Sequence, residues 1–461
     1  MKRFSDDVGG LDLAGDGGRH SRRQKDHKVS SAKAVSSMPM LSQVILQGRR
    51  GLVQALDFLR RQPRNFNVIV ARAAFSTFLM GLTSPYESIY VVALGATAVQ
   101  LGLVNSVGNA ASALIALPAG WLVNRFGVKR YFLLGVALLA VATLTFAGAS
   151  TWQWIVGAML LMNVALRLSG TACGVTCTAS LHNQDRGTGM GLCNTLSSGA
   201  GLVAPLLAAA LVAGFGGVNM PGLRLLYLLR FVGTLLMLGV IAWLLRELPN
   251  LRSGSTWHFS LQAGLAELFT GQAPLRRWLV VSLLSWLPSA MVSPFLLLYA
   301  HEVKGADAYT LGVMGAAIMA VGLVMGIPIG RLADQLGRKK VQYLLAPAMY
   351  ASLGLLVLAS GPVSLVAAAG LWGISQFALV VGEAMSNEMV PLLQVGRWKG
   401  LLALARGLVS VPAPLISGFL WSELGPASTF LLPVILDIGL RLPLLAGIPE
   451  TLKRPACECM S

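Results

Sequence analysis

The sequence predicts an all-α membrane protein with twelve transmembrane helices in two pseudo-symmetric six-helix halves, and three observations carry that prediction. Of 461 residues, 55% are hydrophobic and only 12% charged, and the mean hydropathy is +0.68. A soluble globular chain gives about 25% of its positions to Asp, Glu, Lys and Arg, so this one holds too little charge to coat a water-facing surface. From residue 66 onward, twelve apolar stretches follow one another, each near the roughly 20 residues that cross a ~30 Å hydrocarbon layer. The sequence also repeats itself at an offset of 209–210 residues, the mark of a duplicated unit.

Residues 1–65 form a basic N-terminal extension with 13 Lys/Arg and 6 Asp. It has no apolar run of the kind a secretory signal needs. Within it, residues 41–47 and 51–61 place apolar side chains on one face beside Arg49, Arg50, Arg60, Arg61 and Arg64. That pattern suits an interfacial helix on anionic lipid, with a disordered leader as the alternative. The predicted spans are 67–92, 97–123, 131–149, 152–178, 188–214 and 223–246 in an N-terminal half (66–246). Spans 278–300, 309–333, 341–360, 363–388, 398–422 and 427–447 make a C-terminal half (278–447). The chain holds 51 glycines, and small residues let membrane helices approach closely where no hydrophobic effect drives them together.

The linker 247–277 joins the halves; Trp257, Leu261, Leu265, Leu268 and Phe269 fit an amphipathic helix on the membrane face. Residues 448–461 form a C-terminal tail. Counting the extension, the loops on one side carry 28 Lys/Arg against Lys304 alone on the other. This asymmetry predicts both termini in the cytoplasm, in a multi-pass protein of the plasma or inner membrane.

The repeat is legible residue by residue. Ser84-Pro85-Tyr86 returns as Ser293-Pro294-Phe295, Leu101-Gly102 as Leu311-Gly312, and Ala204-Pro205-Leu206 as Ala413-Pro414-Leu415. Pro85, Pro205, Pro294 and Pro414 are the expected helix bends, since proline removes a backbone donor inside a helix. Span 2 ends in Gly120-Trp-Leu-Val-Asn124-Arg125-Phe-Gly127-Val-Lys129-Arg130. Span 8 ends in Gly330-Arg-Leu-Ala-Asp334-Gln-Leu-Gly337-Arg338-Lys339-Lys340. Gly120 and Gly330 allow close packing, Gly127 and Gly337 a tight turn, and Asp334 can face the positive end of a helix.

Both stretches resemble the G-x-L-x-D-R-x-G-R-K signature of the major facilitator superfamily, found in the loops after the second and eighth helices. The resemblance covers residues 66 to about 450. It implies two halves that rock about a solute site near the membrane midplane, with the signature acting as a gating latch. The first copy departs from the pattern at Asn124, where an acid is usual, and at Val128.

Ionisable groups at membrane depth cost several kcal/mol, so they normally face a cavity or a partner. Glu87 follows Pro85 in span 1 and is read as a proton or cation site, or as a static partner of Arg230. Arg167 in span 4 resembles the R-x-x-x-G element of the superfamily's drug antiporters, with its glycine one residue early at Gly170. It is read as a coupling or binding cation, or as one member of an ion pair orienting spans 1 and 4. Glu383 in span 10 is the third charged candidate, while Asp437 and Arg441, one turn apart in span 12, are expected to satisfy each other. Tyr86, Asn163, Trp286 and Gln376 are the polar and aromatic residues placed to meet a solute in a cavity of spans 1, 4, 7 and 10.

The span 5 antiporter signature is degenerate at Gly201, Ala204, Pro205, Ala208 and Ala209. Cys173 and Cys177 share a face of span 4 and His182 follows, yet packing explains them better than metal binding. Cys457 and Cys459 are candidates for palmitoylation. The spans carry no H-E-x-x-H and no G-x-S-x-G, so no enzyme, cofactor or metal is expected.

The resulting expectation is a secondary transporter that exports a small drug-like or amphipathic solute in exchange for protons. Nutrient uptake by symport or facilitation is the alternative, and a non-transporting receptor the alternative of another class. The expected partners are a small-molecule solute, protons and membrane lipids, with no nucleic acid, for a monomer.

Overall fold

The computed structural model describes residues 58–181, 186–247, 273–390 and 395–451. The leader up to residue 57, His182, the linker helix expected around Trp257 to Phe269, and Cys457 and Cys459 lie outside the described residues. Among the described residues, twelve helices are long and apolar enough to cross a membrane. Span 1 is Arg64–Ala93; the next five are Ala98–Phe126, Val128–Gly148, Trp152–Ser180, Arg186–Gly214 and Met220–Leu244. Span 7 is Ala273–Glu302, followed by Ala308–Leu336 and Arg338–Leu358, then Pro362–Glu388, Trp398–Glu423 and Ser428–Ala446.

The connections show why these boundaries fall where they do. A single residue separates span 2 from span 3, and another separates span 8 from span 9. Gly127 and Gly337 hold φ of +81° and +103° there, a backbone region that L side chains rarely adopt. Asn219 caps span 6 by accepting from the Gly222 amide at 2.9 Å, and Asp307 caps span 8 by accepting from the Thr310 amide at 2.9 Å. Both satisfy donors that every helix start leaves open.

Four spans are irregular. Span 1 tightens to a 3₁₀ turn at Ser84–Tyr86, the expected bend at Pro85, whereas span 7 runs unbroken through Pro288 and Pro294. Span 10 breaks at Gln376, which ends one helix and begins the next. Span 11 breaks before Pro412. Span 12 widens into a π-helical turn over Asp437–Arg441.

An even number of spans puts residues 64 and 446 at one end of the bundle with Arg125, Arg130, Arg338 and Lys339, here called the basic end; the other is the far end. Spans 2 and 11 pack together, as do spans 5 and 8, and these two pairs form most of the contact between halves, with span 1 also touching spans 7 and 8. At the far end the fit is tight. A side chain on Gly102 would collide with the Pro414 carbonyl, and one on Gly418 with the Ala98 carbonyl. A Cβ on Gly312 would come 2.7 Å from the Pro205 carbonyl oxygen, and one on Gly315 2.9 Å from the Pro85 ring. Toward the basic end, Ile329 and Ala333 of span 8 stay packed within their own half, while a side chain at Gly322 or Gly330 would meet nothing within 4 Å. Leu114 in span 2 and Val324 and Ile327 in span 8 are exposed there.

Candidate functional site

The far end is closed by hydrogen bonds as well as by packing. Tyr86, fully buried beside the 3₁₀ turn of span 1, donates to the Ala308 carbonyl at the start of span 8 at 2.8 Å. At mid-depth, Asn109 of span 2 donates through Nδ2 to the Ser410 carbonyl of span 11 at 2.8 Å. Both bonds cross from one half to the other. Glu87 lies one residue beyond Tyr86, within electrostatic range of Arg230 and Tyr227 in span 6. Arg230 is 3% exposed and donates to Thr83 Oγ1 at 2.6 Å. Among the described residues, no ion pair joins it to Glu87.

On the side of the N-terminal half, a cavity of about 540 Å³ lies between spans 2 and 4. Ser112, Asn163, Leu166, Arg167, Gly170 and Thr171 line it. Arg167 Nε donates to Ser112 Oγ at 2.5 Å, and Asn163 Nδ2 donates to the Met159 carbonyl at 3.0 Å. The Arg167 guanidinium therefore has one hydroxyl partner and no carboxylate among the described residues, and its remaining donors face an open space. A guanidinium offers five N–H groups in a rigid fork suited to carboxylates, phosphates and other acceptor-rich groups.

In the C-terminal half, Glu383 of span 10 forms an ion pair with Arg406 of span 11. The Arg406 side chain is 15% exposed and that of Glu383 42%. Arg406 also donates to Ser282 Oγ of span 7 at 3.0 Å from Nε and 2.5 Å from Nη2, and its guanidinium carbon lies 5.5 Å from the Trp286 ring centroid. Three spans thus converge on one arginine. Nearby, Gln376 accepts from Ser289 at 3.2 Å. Both residues line a cavity of about 30 Å³ that Asp437 and Arg441 also border, large enough for water-sized occupants. Asp437 and Arg441 form a buried ion pair, and Tyr350 of span 9 donates to the same carboxylate.

The basic end of the C-terminal half is a polar network. Glu450, just past span 12, accepts from the backbone amides of Arg338 and Lys339 at 3.0 and 3.1 Å, so a carboxylate sits on the positive end of span 9. Lys339 Nζ donates to the Ala446 and Ile448 carbonyls at 2.8 and 2.7 Å. Arg338 pairs with Glu388 at 2.7 Å and with Asp334 at 3.9 Å. Asp334 is 70% exposed, and its cation belongs to its own half. The N-terminal half repeats the arrangement: a side chain on Gly127 would meet Oε1 of Glu247, and one on Gly337 would meet Oε2 of Glu450, each at 2.5 Å.

A sequence profile of the Major Facilitator Superfamily matches residues 69–379 and 278–446. The chain belongs to the major facilitator superfamily. Its fold agrees with solved members at low sequence identity. A variant of the nucleoside transporter NupG superposes with a TM-score of 0.72 at 15% identity, over 83% of this chain and 99% of that one. A bacterial homologue of the human lysosomal transporter Spinster, inward-facing and unoccupied, gives 0.64 at 14%, over 83% and 95%. A D-xylose-proton symporter gives 0.63 at 15%, over 84% and 99%. Among curated proteins, no sequence relative matches.

Within this major facilitator transporter, Asn163 and Arg167 share one cavity, and Glu383 and Trp286 meet at Arg406. Gln376 lies at the span 10 break, Tyr86 in the far-end closure and Glu87 beside it. Of the gating signature, Gly127, Gly337, Arg338 and Lys339 stand at the turns into spans 3 and 9, and Arg125 sits over the Phe126 ring at 5.9 Å. The Asn124 side chain lies outside the described residues. Sequence reasoning did not single out Arg406, Ser282, Ser112, Glu247 or Glu450. For the last two a signal existed, because each follows the sixth helix of its half by a few residues; for Arg406 it was only an unassigned charge in an apolar span.

Proposed function

We propose that this transporter moves a small amphipathic solute by alternating access coupled to protons. The observation that carries the reading is the Glu383–Arg406 pair, a partly exposed carboxylate and an arginine on two spans of one half. Arginine keeps its proton under all ordinary conditions, so the pair can change charge only at Glu383. Protonation of Glu383 ends the attraction, and Arg406 is then held by Ser282 and Trp286 alone. That is a local change with two arrangements of spans 7, 10 and 11, which is what coupling requires.

Arg167 supplies the solute contact. With one hydroxyl partner in a 540 Å³ cavity, it suits a solute that presents an anionic or acceptor-rich group and an apolar body. The closed far end and open basic end correspond to one extreme of the rocking cycle. The excess of Lys and Arg supports a cytoplasmic basic end, and in that orientation the cavity as it stands faces inward and is open to solute from inside. Export in exchange for protons is the direction that the likeness of span 4 to antiporter sequences supports, since an inward-facing state belongs to the cycle of importers and exporters alike.

The test is proton flux in vesicles containing purified protein, with cationic, neutral and anionic amphipathic solutes added in turn. Wild type is expected to move protons when an acceptor-rich solute is added. Glu383→Gln should abolish that movement, while Arg167→Ala raises the solute concentration needed for it. Solute that equilibrates with no proton movement, unchanged in Glu383→Gln, would make the protein a facilitator and overturn the coupling.

A further inference from the structure

One cluster of reactive groups takes no part in the mechanism above. Cys173, Cys177 and Cys193 gather with Arg72 in the N-terminal half, contributed by spans 4, 5 and 1. Cys173, Cys177, Cys193 and Arg72 all lie within electrostatic range of one another. Arg72 lies over the Phe132 ring at 4.9 Å, and its Nε is buried without a partner. The three cysteines are free thiols.

The internal repeat gives this cluster a counterpart. At an offset of 210 residues, Arg72 corresponds to Ser282 and Cys173 to Glu383. Each half therefore sets an arginine at the same level, among its first, fourth and fifth helices. In the C-terminal half a carboxylate faces that arginine; in the N-terminal half a thiol stands in the carboxylate's place, with a second thiol one turn away.

Two thiols at i and i+4 sit about 5–6 Å apart at Cβ, beyond the 3.5–4.5 Å that a disulfide needs. The pair cannot close on itself without deforming span 4, and Cys193 is likewise a free thiol, so both sulfurs stand as thiols. Among the described residues no group of three His, Cys, Asp or Glu is placed to hold a metal ion. The ligand that fits is one satisfied by two sulfurs one helical turn apart on the same face of span 4. Cys173 is partly exposed, and side chains added at Gly170 or Gly174 on either side of it would meet nothing within 4 Å. Gly170 and Thr171 also line the 540 Å³ cavity, so the dithiol lies about one turn from space a solute can reach.

We propose that Cys173 and Cys177 form a binding site for trivalent organoarsenicals. An aryl arsine oxide condenses with the two thiols: two As–S bonds form, two S–H bonds break, and both protons leave with the oxygen as water. Arsenic stays trivalent, so no oxidant or reductant is consumed.

The experiment uses full-length purified protein and phenylarsine oxide, with intact mass spectrometry and titration of free thiols. Because Cys457 and Cys459 make a second dithiol in the tail, wild type is compared with Cys457→Ser/Cys459→Ser. The expected result is one arsenical per chain in the tail variant, with two thiols lost and both restored by a small 1,2-dithiol. Cys173→Ser and Cys177→Ser in that background should each weaken binding ~100-fold, the usual gain from making a second attachment intramolecular. Cys193→Ser should leave binding unchanged, which also separates loss of the site from loss of the fold. Loss of the adduct on removing the tail cysteines alone, or its survival in Cys173→Ser/Cys177→Ser, would overturn the proposal, as would the absence of any adduct.

Discussion

Gly102 in span 2 lies against the main chain of Pro414 in span 11, so closely that any side chain there would strike the Pro414 carbonyl. The same relationship recurs one repeat later, where Gly312 in span 8 lies against Pro205 in span 5. Two of the motifs that the sequence writes twice, Leu-Gly and Ala-Pro-Leu, thus meet each other across the halves. Small residues at both crossings let the backbones approach where lipid supplies no hydrophobic drive.

Replacing Gly102 or Gly312 by Leu is expected to wedge the far end apart. Overpacking a close contact costs about 1–3 kcal/mol, enough to shift a two-state equilibrium strongly. Cysteines placed at far-end positions should become accessible to a membrane-impermeant maleimide in either variant, with little loss of folded protein.

Tyr86→Phe removes one buried cross-half hydrogen bond and leaves the Ala308 carbonyl without that donor. The expected cost to the closed far end is about 1 kcal/mol. The same labelling assay should show a several-fold rise in far-end accessibility, smaller than that of the glycine variants.

Asp437→Asn should be among the most damaging conservative changes. It leaves Arg441 charged and buried, and breaking a buried pair from one side costs roughly 3–5 kcal/mol. Replacing both partners by apolar residues of similar volume should restore much of that loss. Thermal unfolding in detergent would read both variants, and equal stability of the single and double variants would refute the argument.

Asp307 gives a pH dependence with a defined sign. Its acceptance of a hydrogen bond from Thr310 holds its carboxyl below the usual range. The contribution is therefore present above the unfolded value of about 3.9 and is lost as pH falls through the lower folded value. Asp307→Ala should cost about 1 kcal/mol at neutral pH, the usual worth of an N-cap. The difference from wild type should vanish in strong acid, as followed by hydrogen exchange in the first turn of span 8.

The number, length and order of spans were legible because a bilayer converts hydropathy directly into helix length, and the halves were legible because the repeat preserved Gly102, Gly312, Pro205 and Pro414. Tight turns at Gly127 and Gly337 followed from the gating signature, although the expected connections 124–130 and 334–340 shrink to one residue each because the helices run on through the signature. The Asp437–Arg441 pair followed from helical periodicity, although the π-turn that holds it did not. What stayed hidden depends on rotation about the helix axes. Tyr86 sits at a depth the sequence reveals, but only packing shows that its hydroxyl is engaged by Ala308. Glu383 and Arg406 were both visible as charges in apolar spans. Their pairing across spans 10 and 11, with Ser282 of span 7 completing it, needed the three-dimensional arrangement.

The most direct measurement is the pair of distances across the two ends of the bundle, from spin labels at Val99 and Tyr309 on the far side and at Phe126 and Leu336 on the basic side. Without solute, the account predicts a short far-end distance and a long basic-end distance. Lowering the pH or adding a transported solute should redistribute both, one lengthening as the other shortens. Two distances that stay fixed under every solute and pH, or that lengthen together, would contradict alternating access by rocking of these halves.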